Sequence, residues 1–381
     1  MGSGSYEDNG LPPNLATGWS LHPLDTGALL AFHARRKLIW LNGAAAWSFL
    51  RLAAGADRAT CGARLSARLG LDQADARRAV DDTLAMIEAA LASPEGRFAL
   101  TLDRPTRTPS RQRAAGIACY AIAGRRVRIS CVNSDDHARV SAALAHVAVH
   151  DSGPAPACDH DIHVPARAGW ILVDRAEGLR RSGSADLLPQ LARVLFALWY
   201  RACADFIAVH AGLVRLNGRG ILLPGSSGVG KTTAVAALLH LGAAYHGDDF
   251  VMLDPSGRAR AFPFPLTVKA ANIAKLAALF PDLARADVCE RVDGTRVAYL
   301  VPGAAAEVDT PIDCLVFPRF RPGSHAAVQS VAPSAALIEL AREWCLVGTS
   351  EPTSLDAFVG WLQRVPAFEL TYPDPVAALD G

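Results

Sequence analysis

The stretch PGSSGVGKTT, residues 224–233, decides how the rest of this sequence is read. It fits the pattern Gly-x-x-x-x-Gly-Lys-Ser/Thr from Gly225 to Thr232, and its flanks fit as well as its spelling. The apolar segment GILLP (220–224) ahead of it predicts a short strand, and TTAVAALLHLG (232–242) behind it predicts a helix that stops at Gly242. Between a strand and a helix, glycines let successive backbone N–H groups turn inward around an anion, and the helix N-terminus adds its positive end. The residues expected to line that cradle are Gly225, Ser226, Ser227, Gly228, Val229, Gly230, Lys231, Thr232 and Thr233. Lys231 is placed to reach the β- and γ-phosphates of a nucleoside triphosphate, and the Thr232 hydroxyl to join a magnesium shell.

Composition excludes several other readings. With 381 residues, 51% of them hydrophobic and 20% charged, the chain can bury a real core and divides into two or three domains. A net charge of +1 gives no general attraction to nucleic acid or to an anionic membrane. The eight cysteines are scattered without a C-x-x-C pair, which predicts reduced thiols and a cytoplasmic protein. MGSGSYEDNG reads as an appended scar, and residues 1–14 as a disordered lead-in. The most apolar segment, 187–212, carries Arg193, Arg201 and Asp205, so a buried helix is expected there rather than a membrane span. A cluster at 150–163 offers His150, Cys158, His160 and His163, but its spacing matches no common zinc pattern and it reads as a polar surface loop.

Ahead of the loop the chain divides further. Residues 18–41 predict three short strands, followed by three helices. The first helix opens at Asn42 and is expected to bury Trp47, Leu50 and Ala54. The second runs to Leu69 with Cys61, Leu65 and Leu69 on one face, and the third repeats Val80, Leu84, Ile87 and Leu91 at helical spacing. Residues 96–113 read as a basic, proline-containing linker. In the middle, GIACYAIAG and RRVRISCV predict a hairpin, DDHARVSAALAHVAV a helix and GWILVD a strand. This gives a lead-in (1–14), a front domain (15–95), the linker, and a large domain (114–381) with its core over about 205–330.

The three-strand start and WLNGAAAWSFLRLAAG (40–55) resemble the PqqD-like fold, also called a RiPP recognition element. That resemblance implies a small winged-helix α+β domain that takes the leader of a precursor peptide as an added strand. Leu38–Leu41 would supply the backbone edge, and the Asp75–Glu88 helix the opposite wall.

His-Ala-Gly at 210–212 lies 21 residues before Lys231, and HGDDF places Asp248 17 residues after it. No Asn-Lys-x-Asp guanine reader or Leu-Ser-Gly-Gly-Gln transporter signature is present. Two adjacent aspartates in extended backbone point to opposite sides, which suits one base and one metal contact. His-x-Gly, the glycine-rich loop and Asp-Asp at these intervals resemble the catalytic domain of HPr kinase/phosphorylase over about 205–270, and faintly through 263–270 and 315–323.

That resemblance implies an α/β P-loop core with a mixed sheet and a kinase using ATP and Mg2+. It places Asp248 as the base that accepts the acceptor's hydroxyl proton, Asp249 near the magnesium with Thr232, and His210 beside the transferred phosphate. The sequence departs from the family where Thr233 stands for its usual Glu, and where the Arg-Gly-Ile-Gly-type segment tied to phosphorolysis is missing. Arg319, Arg321 and Lys269 are further candidate cations for the phosphate.

Joined, the two resemblances imply a kinase for a seryl hydroxyl of a ribosomally made precursor peptide, with no nucleic-acid or membrane partner and with homo-oligomerisation left open. A kinase for a small alcohol such as free serine, and a nucleotide-switched peptide carrier, are the alternatives. A regulator of the phosphocarrier HPr itself is the least favoured, because the front module is wrong for it.

Overall fold

Capping residues set the helices of the front module. In the computed structural model, β1 (Trp19–Leu24), β2 (Gly27–Phe32) and β3 (Lys37–Asn42) form an antiparallel sheet in that order, and α1 (Gly43–Ala53), α2 (Arg58–Leu69) and α3 (Gln73–Ala92) follow. Asn42, Asp57 and Asp72 accept from the backbone N–H of Ala45, Thr60 and Asp75 at 2.9, 2.6 and 2.7 Å. Each such cap is worth about 1 kcal/mol.

The expected face of α3 is the buried one, through Val80, Leu84, Ile87 and Leu91. In α1 the expected stripe is displaced, because Phe49 and Leu52 face inward while Leu50 is 45% exposed. Most residues of that helix are apolar, so periodicity offered little contrast, and the packing of Phe49 and Leu52 into the core sets the rotation. Leu69 likewise turns out to solvent, leaving Cys61 and Leu65 buried on α2.

The structure describes residues 11–12, 15, 17–35, 37–93, 113–122, 124–150, 157–165, 170–174, 177–180, 186–202, 207–226, 228–301, 303, 309–347 and 352–374. The expected lead-in apart from residues 11, 12 and the following core residue Leu15, the linker up to 112, Asp205 and Ser227 lie outside them.

Both faces of the front sheet are covered. Along β2, Ala28, Leu30 and Phe32 join the cluster beneath the module's own helices. Leu29 and Ala31 alternate with them, and together with Leu24 they join the core of the large domain beside Ile207, Leu337 and Phe358. Period-two alternation therefore ties one strand into two cores.

The middle region supplies a five-stranded sheet in the order β4 (Gly116–Ile122), β5 (Arg125–Cys131), β6 (His160–Val164), β7 (Trp170–Val173), β8 (Glu177–Arg180). It includes the expected hairpin and packs with α4 (Ser134–Ala143) and α5 (Leu187–Ala202). The surface-loop expectation for 150–163 is corrected at its end, where 160–163 enters β6 and pairs parallel with β5. His163 is buried against Ser130, whereas His160 pairs with Asp174 at 2.7 Å. Residues three apart on a strand point to opposite faces, so these histidines do not converge. Among the described residues, no group of three or more His, Cys, Asp or Glu could hold a metal ion, no disulfide is present, and no helix is long and apolar enough to cross a membrane.

The large domain carries the remaining elements. They are β9 (Ile207–Val209), β10 (Ala211–Leu216), β11 (Arg219–Pro224), α6 (Lys231–His240), β12 (Ala244–Gly247), β13 (Val251–Leu253), β14 (Arg258–Ala261), β15 (Leu266–Lys269), α7 (Ala270–Leu276), β16 (Cys289–Glu290), β17 (Arg296–Leu300) and β18 (Thr310–Pro311). After them come β19 (Cys314–Phe320), β20 (Ala327–Ser330), α8 (Pro333–Arg342), β21 (Trp344–Val347), α9 (Pro352–Arg364) and β22 (Ala367–Tyr372). Six strands form a sheet in the order β12-β10-β11-β19-β22-β20, in which β11 runs parallel to β19 and antiparallel to β10. A second sheet has the order β18-β14-β13-β9-β21, and a small third one β15-β17-β16. The chain is thus a mixed α/β protein. Its core does not close near residue 330, because β22 inserts between β19 and β20.

Candidate functional site

The glycine-rich loop connects β11 to α6, as its flanks predicted. Gly228 and Gly230 have φ of 101° and 102°, a region that costs an L side chain about 1–2 kcal/mol. Gly230 has a second reason to lack a side chain, since a Cβ there would lie 2.2 Å from the Tyr372 hydroxyl. That hydroxyl donates to the Gly230 carbonyl at 2.7 Å, and Phe320 N–H donates to the Val229 carbonyl at 2.9 Å. Two strands remote in sequence, β19 and β22, therefore hold the loop from behind.

Lys231 opens α6 and is 4% exposed. Its ammonium meets Asp248 Oδ1 in a very short contact and Asp249 Oδ1 at 3.3 Å. Burial opposes the charge on Lys231, but the two carboxylates outweigh it and raise its pKa. The Thr232 hydroxyl donates to Asp248 Oδ2 at 2.8 Å. Gly212 lets β10 pass close to α6, because a Cβ at that position would stand 2.5 Å from Val235 Cγ2.

The aspartate pair departs from the expected geometry. Asp248 and Asp249 follow the end of β12, and Asp249 has a φ of 79°. Because its backbone is not extended, both carboxylates turn to the same lysine instead of to opposite sides. Their surroundings differ in a way that bears on the expected roles. The Asp248 side chain is 1% exposed with both oxygens engaged, whereas that of Asp249 is 33% exposed. Of the two, Asp249 is the carboxylate on the open side.

His210 stands between β9 and β10 with Nε2 3.4 Å from Asp249 Oδ1. Its other nitrogen lies 3.4 Å from Glu343 Oε2, a residue that sequence reasoning did not single out. Burial disfavours the imidazolium, yet the two carboxylates outweigh it and raise the His210 pKa. Burial would likewise raise Asp249, but Lys231 and His210 hold it well below the usual carboxylate range. Glu343 lies 133 positions from His210 at the end of an ordinary amphipathic helix, and nothing local marks it. The same holds for Tyr372.

Of the other expected residues, Gly225 turns next to Val229, with its N–H donating to the His210 carbonyl at 3.3 Å, and Ser226 accepts from Val229 N–H at 3.4 Å. Thr233 lies in the first turn of α6, half-buried. Arg319 is committed elsewhere, at 2.6 Å from Glu339 and 3.2 Å from Glu369. Arg321 and Lys269 are exposed.

The arrangement can hold an oxyanion at the N-terminus of α6, supply a buried cation to it, and present one accessible carboxylate beside the His210 imidazole. No protein-family model matches the chain, and no curated protein matches it.

Proposed function

We propose that this chain is an ATP-dependent kinase that phosphorylates a seryl hydroxyl of a ribosomally made precursor peptide. In this reading the core is a P-loop domain of the HPr kinase type, and the front module is a PqqD-like winged-helix domain that binds the leader. The supporting observation is the convergence of Lys231, Thr232, Asp248, Asp249 and His210 at the end of the glycine-rich loop.

The roles follow from the surroundings of each group. On binding of ATP, Lys231 exchanges carboxylate oxygens for phosphate oxygens at the N-terminus of α6. Thr232 Oγ1 and Asp248 Oδ2, 2.8 Å apart, are a hard oxygen pair of the kind magnesium takes together with phosphates and water. Bound there, Mg2+ would offset the charge on the triphosphate. Asp249 then serves as the base. The acceptor oxygen forms its bond to the γ-phosphorus while the bond from that phosphorus to the bridging oxygen of ADP breaks, and the hydroxyl proton passes to Asp249. His210 sits beside that carboxylate as a second cation near the transferred group.

For the leader, β3 pairs among the described residues on one side only, with β2, so Leu38–Leu41 offer a backbone edge next to α3. Intact mass of a serine-bearing precursor peptide, after incubation with the full chain, ATP and magnesium, should rise by one phosphoryl group, and excess leader peptide alone should suppress that gain. Phosphorylation of free serine that the leader does not suppress would point to a small-molecule kinase. ATP binding with no mass gain on any acceptor would point to a carrier.

A further inference from the structure

Glu343 is half-enclosed, with a side chain 14% exposed, and faces the ring of His210 rather than solvent. Its place is fixed from three directions. The His210 N–H donates to the Glu343 carbonyl at 2.8 Å, and Trp344 begins a strand that pairs with β9 opposite Val209. Glu343 also ends α8, with its N–H donating to the Leu340 carbonyl at 3.0 Å. The far end of that helix is tied to the front module, where Asp25 accepts from the Ser334 N–H at 3.1 Å and Thr26 donates to the Ser334 hydroxyl at 2.9 Å.

A neutral imidazole carries one N–H and can donate to one carboxylate only, so a ring facing carboxylates at both nitrogens is held as the doubly protonated donor. Asp249 needs such a tie. Its positive φ is an uncommon conformation for a non-glycine residue, and its carboxylate is fixed by Lys231 and His210. Once Lys231 turns to phosphate, His210 is the remaining restraint of those two. We infer that Glu343 is a positioning residue: it holds the His210 ring so that Nε2 fixes the Asp249 carboxylate for the incoming acceptor.

The kinase reading supplies only what Asp249 does, while the geometric claim about His210 stands apart from it. The first arm measures steady-state ADP formation with ATP and magnesium, water serving as acceptor, alongside equilibrium binding of a fluorescent ATP analogue. A misplacement of about 1 Å at a reacting group costs on the order of a hundredfold. Glu343→Gln is therefore expected to lower kcat about tenfold or more with the nucleotide KM and binding unchanged, and Glu343→Asp to recover part of the loss. In an Asp249→Asn background the Gln substitution should cost little further, because the two act through one chain of contacts.

Unchanged kcat in Glu343→Gln, a loss matched by weaker nucleotide binding, or a full additional loss in the double variant would overturn the assignment. Where the unmodified chain shows no turnover with water, the kinase reading is tested by transfer to the precursor peptide instead. The second arm then decides, using crystal structures of the unmodified chain and of Glu343→Gln. A His210 ring that leaves Asp249 in the variant supports the inference, and one that stays in place refutes it.

Discussion

Replacing each aspartate of the pair by asparagine separates their roles. Asn keeps the volume of Asp249 and can still accept a hydrogen bond from His210, but it carries no charge with which to draw off a proton. A positioned general base contributes about 10²–10⁴-fold. Asp249→Asn should therefore lower kcat by that range, about 2.7–5.5 kcal/mol at 1.36 kcal/mol per tenfold, with the KM for ATP little changed. Asp248→Asn acts elsewhere. It removes the charged partner of a lysine that is 4% exposed, and breaking a buried pair from one side costs about 3–5 kcal/mol. For a domain of this size that corresponds to a fall in Tm of roughly 6–20 °C. It also replaces the carboxylate of the proposed magnesium pair by an uncharged amide, so the magnesium requirement should rise. Calorimetry together with kinetics at varied ATP and magnesium gives both signatures. If Asp248→Asn loses only kcat while keeping its Tm, and Asp249→Asn turns over normally, then Asp248 is the base and the exposure argument fails.

The clamp behind the loop should respond in proportion to what each change removes. Tyr372→Phe deletes one hydrogen bond to Gly230, worth about 0.5–1.5 kcal/mol, and should raise the ATP KM modestly. Gly230→Ala, with φ of 102° and a Cβ 2.2 Å from the Tyr372 hydroxyl, should weaken nucleotide binding far more, as isothermal titration would record. Stability should depend on pH at both ends of the His210–Asp249 pair. The His210 pKa is raised, so its contribution is complete below about 6.5 and fades as pH climbs through the raised folded value. The Asp249 pKa is lowered, so its contribution holds above about 3.9 and is lost only as pH falls through the lowered value. Thermal melts of the unmodified chain and of His210→Gln should therefore converge at alkaline pH, and a constant gap would contradict the pairing. At the module interface, His22→Ala removes a 2% exposed ring bonded to Asp356 at 2.6 Å and Ser20 at 2.7 Å. Since the Asp356 side chain is 70% exposed, the loss should come from hydrogen bonding and packing rather than charge, about 1–3 kcal/mol by denaturant unfolding.

What the sequence carried was the local grammar. Glycines at 225, 228 and 230 between an apolar strand and a helix, the cap Asn42, and the i, i+4, i+7 spacing on α3 are written in neighbouring residues, and each appears where that spacing put it. Two kinds of information were not local. One was rotation where composition has little contrast, as in α1. The other was the contribution of residues brought in by sheet pairing: Tyr372 reaches the loop because β22 inserts beside β19, and Glu343 reaches His210 because β21 pairs with β9. Nothing in two adjacent aspartates announces a left-handed backbone at the second, yet that single dihedral angle turns both carboxylates toward one lysine.

The doubly buried front sheet bears on the proposed leader binding. On a flexible tether, such a module would act only by raising the local concentration of its peptide. Here Leu24, Leu29 and Ala31 belong to the same apolar cluster as Leu337 and Phe358, so the β3 edge is held at a set position relative to the loop. Helix α8 carries that fixity to the site itself. It starts under Asp25 and Thr26 and ends at Glu343, ten residues or about 15 Å of helix at 1.5 Å per residue. A leader seated along β3 would then present its following residues from a constant origin, and the acceptor serine would be selected by its spacing from the leader rather than by its immediate neighbours. Precursor variants in which only that spacing is changed would separate this geometry from simple tethering, since a tether tolerates added residues at a cost that grows only slowly with length.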